Sequence, residues 1–129
     1  MLVVIVRATD DDPLRWESLI EGYRHSPRAE GSSPNNAAVH MLYGLGLPGS
    51  ATRCIPNDDY TKFRIECESV DLATCSSCGG RGDEMPLNIV RECPDCNGVG
   101  FLLPDGETTQ RGRITATDKS EKVLRIHRA

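Results

Sequence analysis

Cys75-Ser76-Ser77-Cys78-Gly79-Gly80-Arg81-Gly82 and Cys93-Pro94-Asp95-Cys96-Asn97-Gly98-Val99-Gly100 both fit the pattern CxxCxGxG. This is the clear internal repeat of the chain. Two CxxC pairs separated by a short segment suit a tetrahedral four-cysteine zinc site, each pair wrapping the ion in a tight knuckle. The glycines two and four residues after the second cysteine have a physical reason. The chain must turn sharply past the sulfurs, through conformations that disfavour a Cβ, with backbone amides aimed at the thiolates. The expectation is one structural zinc ion held by Cys75, Cys78, Cys93 and Cys96. Two alternatives stay open: each CxxC as a redox disulfide, or a secreted disulfide scaffold. The duplicated glycines and the lack of a thioredoxin-like strand–helix context weigh against the first. The lack of a signal sequence weighs against the second.

Outward from this segment, periodicity sets the rest. Leu2–Ala8 (LVVIVRA) is β-branched and continuously apolar, as a buried central strand would be. Asp10, Asp11, Asp12 and Pro13 suggest a helix start, with Leu14, Trp16, Leu19, Ile20 and Tyr23 along an amphipathic helix. Ser26–Asn36 (SPRAEGSSPNN) suggests a polar loop, and Asn36–Tyr43 a second short helix with Ala38, Met41 and Leu42 on one face. Residues 50–60 look irregular. Phe63, Ile65 and Cys67 alternate with Arg64, Glu66 and Glu68, the mark of a half-buried strand. Arg113–Thr117 and Lys122–His127 alternate again, with Asp118–Glu121 as the turn between them. The expected fold is α+β: a small mixed sheet with two short helices and an inserted zinc-binding β-hairpin module. Residues 1–72 would form an N-terminal α+β part and 73–104 the zinc module. Residues 105–129 would form a C-terminal β-hairpin returning to the N-terminal sheet.

The repeat resembles the cysteine-rich zinc module of DnaJ-type (Hsp40) chaperones, in which four such repeats pair to bind two zinc ions within a bent β-hairpin structure. Two repeats here imply one zinc. The chain has no His-Pro-Asp triplet and no glycine/phenylalanine-rich linker, so it looks like the module without a J-domain, and stimulation of an Hsp70 ATPase is not implied. The single-zinc form is also similar to the bacterial anti-TRAP protein. There a CxxCxGxG core precedes an apolar strand and a glycine turn, matched here by Cys93–Gly100 and then Phe101-Leu102-Leu103-Pro104-Asp105-Gly106. Lambdoid phage Q antitermination proteins, with two repeats and a short linker (here Asp83–Glu92), and two-repeat plant chaperones lacking a J-domain are similar too. The resemblance covers residues 73–104 and implies protein–protein interaction, in transcription regulation of the antitermination or anti-TRAP kind or in chaperone-like assembly. Its surface would lie near Ile89, Val90, Phe101 and Leu102, with a possible homo-oligomer. The plainer reading packs Phe101, Leu102 and Leu103 on Ile89 and Val90.

The 129 residues carry a net charge of −4, with 38% hydrophobic and 5% aromatic residues. A core can form but lacks large anchors and needs a staple. The acidity disfavours general affinity for nucleic acid. The charge is uneven: residues 1–72 hold 7 Lys/Arg against 11 Asp/Glu, and residues 73–129 hold 8 of each. Direct nucleic-acid binding would therefore fall to the C-terminal arginines Arg111, Arg113, Arg125 and Arg128, whose plainer reading is a solvated sheet face. Met1–Val6 is too short for a signal-peptide core. The expectation is a cytoplasmic protein in a reducing compartment, where cysteines serve metal better than disulfides.

No GxSxG, HExxH or phosphate-binding glycine loop occurs, and four cysteine ligands leave no open position for water. A non-enzymatic role is expected. A thiol–disulfide oxidoreductase using the two CxxC pairs is the enzymatic alternative. Cys67 suits a core position on its strand and Cys54 a loop. His25, His40 and His127 are scattered. Asp10, Asp11 and Asp12 could hold a divalent cation, but a helix cap accounts for them more simply.

Overall fold

The computed structural model describes residues 1–10, 14–47, 51–104 and 106–114. Leu2–Ala8 forms β1, at the centre of the main sheet as its apolar run suggests. Its outer neighbours are Trp16–Ile20 (β2) on one side and Lys62–Cys67 (β5) on the other, both antiparallel. Arg28–Gly31 (β3) pairs with β2, and Arg53–Pro56 (β4) closes the far edge against β5. Arg113–Ile114 (β10) joins β3 in parallel, so the sheet order is β10-β3-β2-β1-β5-β4. Among the described residues there is one α-helix, Pro34–Gly44 (α1). The architecture is α+β, with α1 laid over β1, β2 and β3.

Several sequence expectations give way here. The first helix, read from Leu14 to Tyr23, is the strand β2. Its register with β1 places Ala8 opposite Trp16 and Val4 opposite Ile20, a hairpin that outweighs helical spacing. The alternation was masked by Ser18, a polar residue on the buried face. It is fully buried and its hydroxyl donates to the Ala37 carbonyl of α1 at 2.7 Å. The loop expected over Ser26–Asn36 contains β3, whose inward residues are only Ala29 and Gly31 and so carry no hydrophobic signature. Gly31 lies against α1, and a Cβ there would meet the Ala37 amide at 2.4 Å. Residues 53–56, read as irregular, are an exposed edge strand ending in Pro56, which edges tolerate.

Helix α1 lies where a helix was expected, starting two residues earlier. Ser33 caps it by accepting the Asn36 amide at 3.1 Å, and Pro34 fits the first turn because its missing N–H is not needed there. Ala37, Ala38, Met41 and Leu42 face the core with Leu2, Val4, Val6, Ile20 and Ile65. The opposite face of the sheet carries ion pairs. Glu17 holds Arg7 and Arg28, and Arg64 holds Glu21 and Glu66. The C-terminal strand expected at 113–117 is observed at 113–114. The second, at 122–127, and the turn before it lie outside the described residues, as does much of the Asp10–Pro13 helix start.

Between β5 and β10 the chain leaves the sheet to form two small ladders. Ala73–Thr74 (β6) pairs with Phe101–Leu102 (β9), and Asp83–Glu84 (β7) pairs with Arg91–Glu92 (β8). The cysteines lie between these ladders.

Candidate metal centre

Each CxxC follows a short strand: Cys75 comes after β6 and Cys93 after β8. The two repeats are offset by 18 residues and related by a local two-fold in which the backbone hydrogen bonds around the cysteines recur. The Gly80 amide donates to the Cys75 carbonyl at 3.2 Å, and the Gly98 amide to the Cys93 carbonyl at 3.0 Å. The Gly82 amide donates to Cys78 Sγ and the Gly100 amide to Cys96 Sγ, both at 3.2 Å. Across the dyad, the Cys75 amide donates to the Gly100 carbonyl and the Cys93 amide to the Gly82 carbonyl, both at 2.9 Å. Ser77 hydrogen-bonds its repeat-mate Asp95.

This arrangement brings all four expected ligands together. Cys75 Sγ lies 3.9 Å from Cys93 Sγ, Cys78 Sγ lies 3.8 Å from Cys96 Sγ, and the four sulfurs lie within 4.8 Å of one another. A metal–sulfur bond of about 2.3 Å in a regular tetrahedron requires sulfur separations of about 3.8 Å. A disulfide requires about 2.05 Å. All four cysteines are free and buried, and among the described residues no histidine or carboxylate joins their cluster. The donor set therefore fits one soft, tetrahedral metal ion with a closed shell of sulfur.

The protein environment differs between the sulfurs. Burial pushes the Cys78 thiol up, but the Gly82 and Gly80 amides and the neighbouring thiols outweigh it and bring it down to about 7. Burial and the neighbouring thiols push Cys93 up to about 12. Cys96 is also raised, chiefly by burial. A cation at the centre of the cluster would favour the thiolate at all four.

Side chains far away in sequence fasten both ends of the dyad. At one end Arg111 reaches both repeats. Its Nε donates to the Gly98 carbonyl at 2.6 Å and its Nη2 to the Gly82 carbonyl at 3.0 Å, and the same nitrogen pairs with Asp83. His25 Nε2 lies 2.9 Å from the other oxygen of Asp83. These hydrogen bonds, Arg111 first, hold the Asp83 carboxyl below the usual carboxylate range. At the other end Tyr23 packs against Phe101 in a tilted contact with ring centroids 4.8 Å apart, and its hydroxyl lies 3.0 Å from the Thr74 hydroxyl. Tyr23 and His25 both belong to the β2–β3 connection, and Arg111 immediately precedes the return to β10. The sequence reading placed Arg111 in a solvated basic patch and treated His25 as scattered. Neither sits at a fixed spacing from the cysteines, so no motif could have exposed them.

The surface expected from Ile89, Val90, Phe101 and Leu102 is divided. Phe101 is fully buried against Tyr23 and Leu102 is half-buried, so Phe101 belongs to the core. Ile89 and Val90 are exposed, and with Met85 and Leu87 they form the apolar loop between β7 and β8. Leu87 is 93% exposed and has a left-handed backbone (φ 52°, ψ 34°), a conformation that disfavours leucine. Cys67 is buried, which raises its thiol, and Cys54 is exposed on β4 rather than in a loop; neither approaches the cluster. His40 Nδ1 hydrogen-bonds the Glu30 carbonyl at 2.6 Å, a structural role. His127, Arg125 and Arg128 lie outside the described residues. No helix among the described residues is long and apolar enough to cross a membrane.

In comparisons with known proteins, no protein-family model, curated protein or solved structure matches this chain.

Proposed function

We propose that the chain binds one structural zinc ion through Cys75, Cys78, Cys93 and Cys96, and that the ion braces the apolar loop Met85–Val90 for contact with another protein. The observation that carries this is the sulfur cluster: four buried cysteines spaced for a tetrahedral ion, with two amides directed at sulfur. An all-sulfur tetrahedral site suits zinc or iron. The sulfur spacing leaves room for a single ion and not a cluster, and zinc is favoured over a single iron by the repeat's resemblance to zinc modules. The closed shell leaves no position for a substrate or water, so the ion's role in this reading is structural and not catalytic. The loop supplies the second half of the reading. Four large apolar side chains, Met85, Leu87, Ile89 and Val90, stand 62%, 93%, 67% and 62% exposed on one short connection. Contiguous exposed apolar surface marks a contact site. The setting we favour is a small regulator of the transcription machinery or a chaperone-like assembly factor, in keeping with the repeat's resemblance.

Cobalt(II) substitution tests the metal half. The reduced, metal-free chain should develop the intense visible bands of a tetrahedral thiolate site at one cobalt per chain. One equivalent of zinc should bleach them. Absence of those bands with all four thiols reduced would remove the reading.

A further inference from the structure

Among the described residues, β10 covers the β3 edge of the main sheet and pairs with β3 alone. Its own hold on the sheet is slight. It spans two residues, Arg113 and Ile114, set in parallel against Arg28 and Ala29. Just before it, the Arg28 amide donates to the Gly112 carbonyl at 2.9 Å. A ladder this short returns few hydrogen bonds against the entropy of fixing the chain that makes them.

The segment that delivers β10 is tied instead to the metal module. The Asn97 side-chain amide donates to the Thr108 hydroxyl at 2.6 Å. Arg111 donates to the Gly98 and Gly82 carbonyls and pairs with Asp83. All these partners lie within the two repeats or directly after the first, and their places follow from the gathered sulfurs. The Gly82 amide bonds Cys78 Sγ, and the Gly98 amide bonds the Cys93 carbonyl. One residue, Gly112, separates Arg111 from β10, and it turns through a left-handed backbone of φ 98°. A residue spans at most about 3.5 Å, so a larger movement of Arg111 must pull on the strand.

Asp83 also reaches the other strand of the pair. One carboxylate oxygen holds Arg111, shortly before β10; the other lies 2.9 Å from His25 Nε2, shortly before β3. A single side chain of the module thus clamps the chain at the heads of two parallel strands that share no turn of their own.

We propose that metal occupancy of the cysteine cluster controls the β3 edge of the sheet. With the cluster loaded, Asp83 and the repeat carbonyls hold His25 and Arg111 in place and β10 pairs with β3. With the cluster emptied, these ties are lost and β10 leaves the edge. The proposal rests on the reading of the four cysteines as metal ligands. An uncovered edge presents unpaired backbone groups that another strand can use, so the metal state of the module becomes readable at the sheet.

Amide hydrogen exchange of the full chain, zinc-loaded and then chelated with the thiols kept reduced, tests it. The Arg28 amide should be protected with zinc and lose at least about tenfold in protection on chelation, together with Gly82 and Gly100, while the β1–β2 and β1–β5 amides keep theirs. Returning zinc should restore all three. Two zinc-loaded variants separate the strap from the metal. A short Gly-Ser insertion between Arg111 and Gly112 leaves every tie to the module intact, and Asp83→Ala removes the clamp. Each should expose the Arg28 amide and keep Gly82 and Gly100 protected. Arg28 protection that survives chelation while Gly82 and Gly100 lose theirs would overturn the proposal and leave the metal reading standing. Arg28 protection unchanged in the insertion variant would overturn it too, as would loss of the β1 amides in step with Arg28 on chelation. Gly82 and Gly100 amides indifferent to zinc would overturn the metal reading and this proposal with it.

Discussion

A Cβ on Gly82 would stand 2.2 Å from the carbonyl oxygen of Gly98, the equivalent of Gly80 in the second repeat. The matching approach across the dyad, Gly100 to the Gly80 carbonyl, would be 2.3 Å. The repeats thus touch backbone to backbone, and Gly82 and Gly100 are required by contact as well as by positive φ. Gly82→Ala and Gly100→Ala should each destabilise the zinc-loaded protein by about 3 kcal/mol or more, because backbone must move. Gly79→Ala meets nothing within 4 Å and should cost only the left-handed penalty of about 1–2 kcal/mol. Denaturant melts of the three variants at saturating zinc check the order, and equal losses would contradict it.

Among the described residues, Arg111 is the one side chain that donates to backbone carbonyls of both repeats. It makes charged hydrogen bonds to Gly82, Gly98 and Asp83 just before the chain enters β10. Arg111→Ala should cost roughly 2–4 kcal/mol, since such bonds are worth about 1.5–3 kcal/mol each and partly exposed ones less. Arg111→Lys should recover little, because an ammonium lacks the planar fork that reaches two carbonyls at once. Full recovery by lysine would contradict this geometry.

Acid should act partly through Asp83. Its carboxyl is held below the usual range in the folded state by Arg111 and then His25. A depressed folded pKa contributes stability that is fully present above the unfolded value near 3.9 and is lost as pH falls through the folded value. At pH values where metal analysis shows zinc still bound, the stability gap between the unsubstituted chain and Asp83→Asn should therefore be full at neutral pH and begin to shrink as pH approaches about 4. A gap that is constant with pH would place the effect elsewhere.

Removal of the metal should unfold residues 73–104. Structural zinc contributes an apparent binding energy of about 10–16 kcal/mol, comparable to or larger than the total stability of a small domain. Hydrogen exchange after chelation should show early loss of protection at the Gly82 and Gly100 amides, which bond sulfur, and at the Cys75 and Cys93 amides, which bond across the dyad. The β1–β2 and β1–β5 amides should persist longest. An unchanged melt after verified metal loss would refute the role of the ion as a brace.

The clustering of the four cysteines could be read directly from sequence because its chemistry is local: each CxxC and its glycines carry the turn that aims the sulfurs. Strands β1 and β5 and helix α1 were legible for a similar reason, each showing its own periodicity. Strand β2 was not, because Ser18 on its inner face is satisfied by carbonyls of α1 and β3 that sequence cannot place. Strand β3 was hidden by Ala29 and Gly31, small because the helix passes close by. The fastening by Tyr23, His25 and Arg111 depends on tertiary contacts alone. Phe101 illustrates the limit of motif reasoning: an apolar residue beside a metal knuckle could serve a partner or the core, and Tyr23 decides for the core.

The central claim, one zinc ion held by the four cysteines, is tested most directly by native mass spectrometry with metal analysis of the same sample. The account predicts one zinc per chain, released only by acid or denaturation, and lost from Cys78→Ser and Cys96→Ser. A metal-free chain whose mass is lower by the hydrogens of two disulfides would contradict it and make the CxxC pairs redox centres.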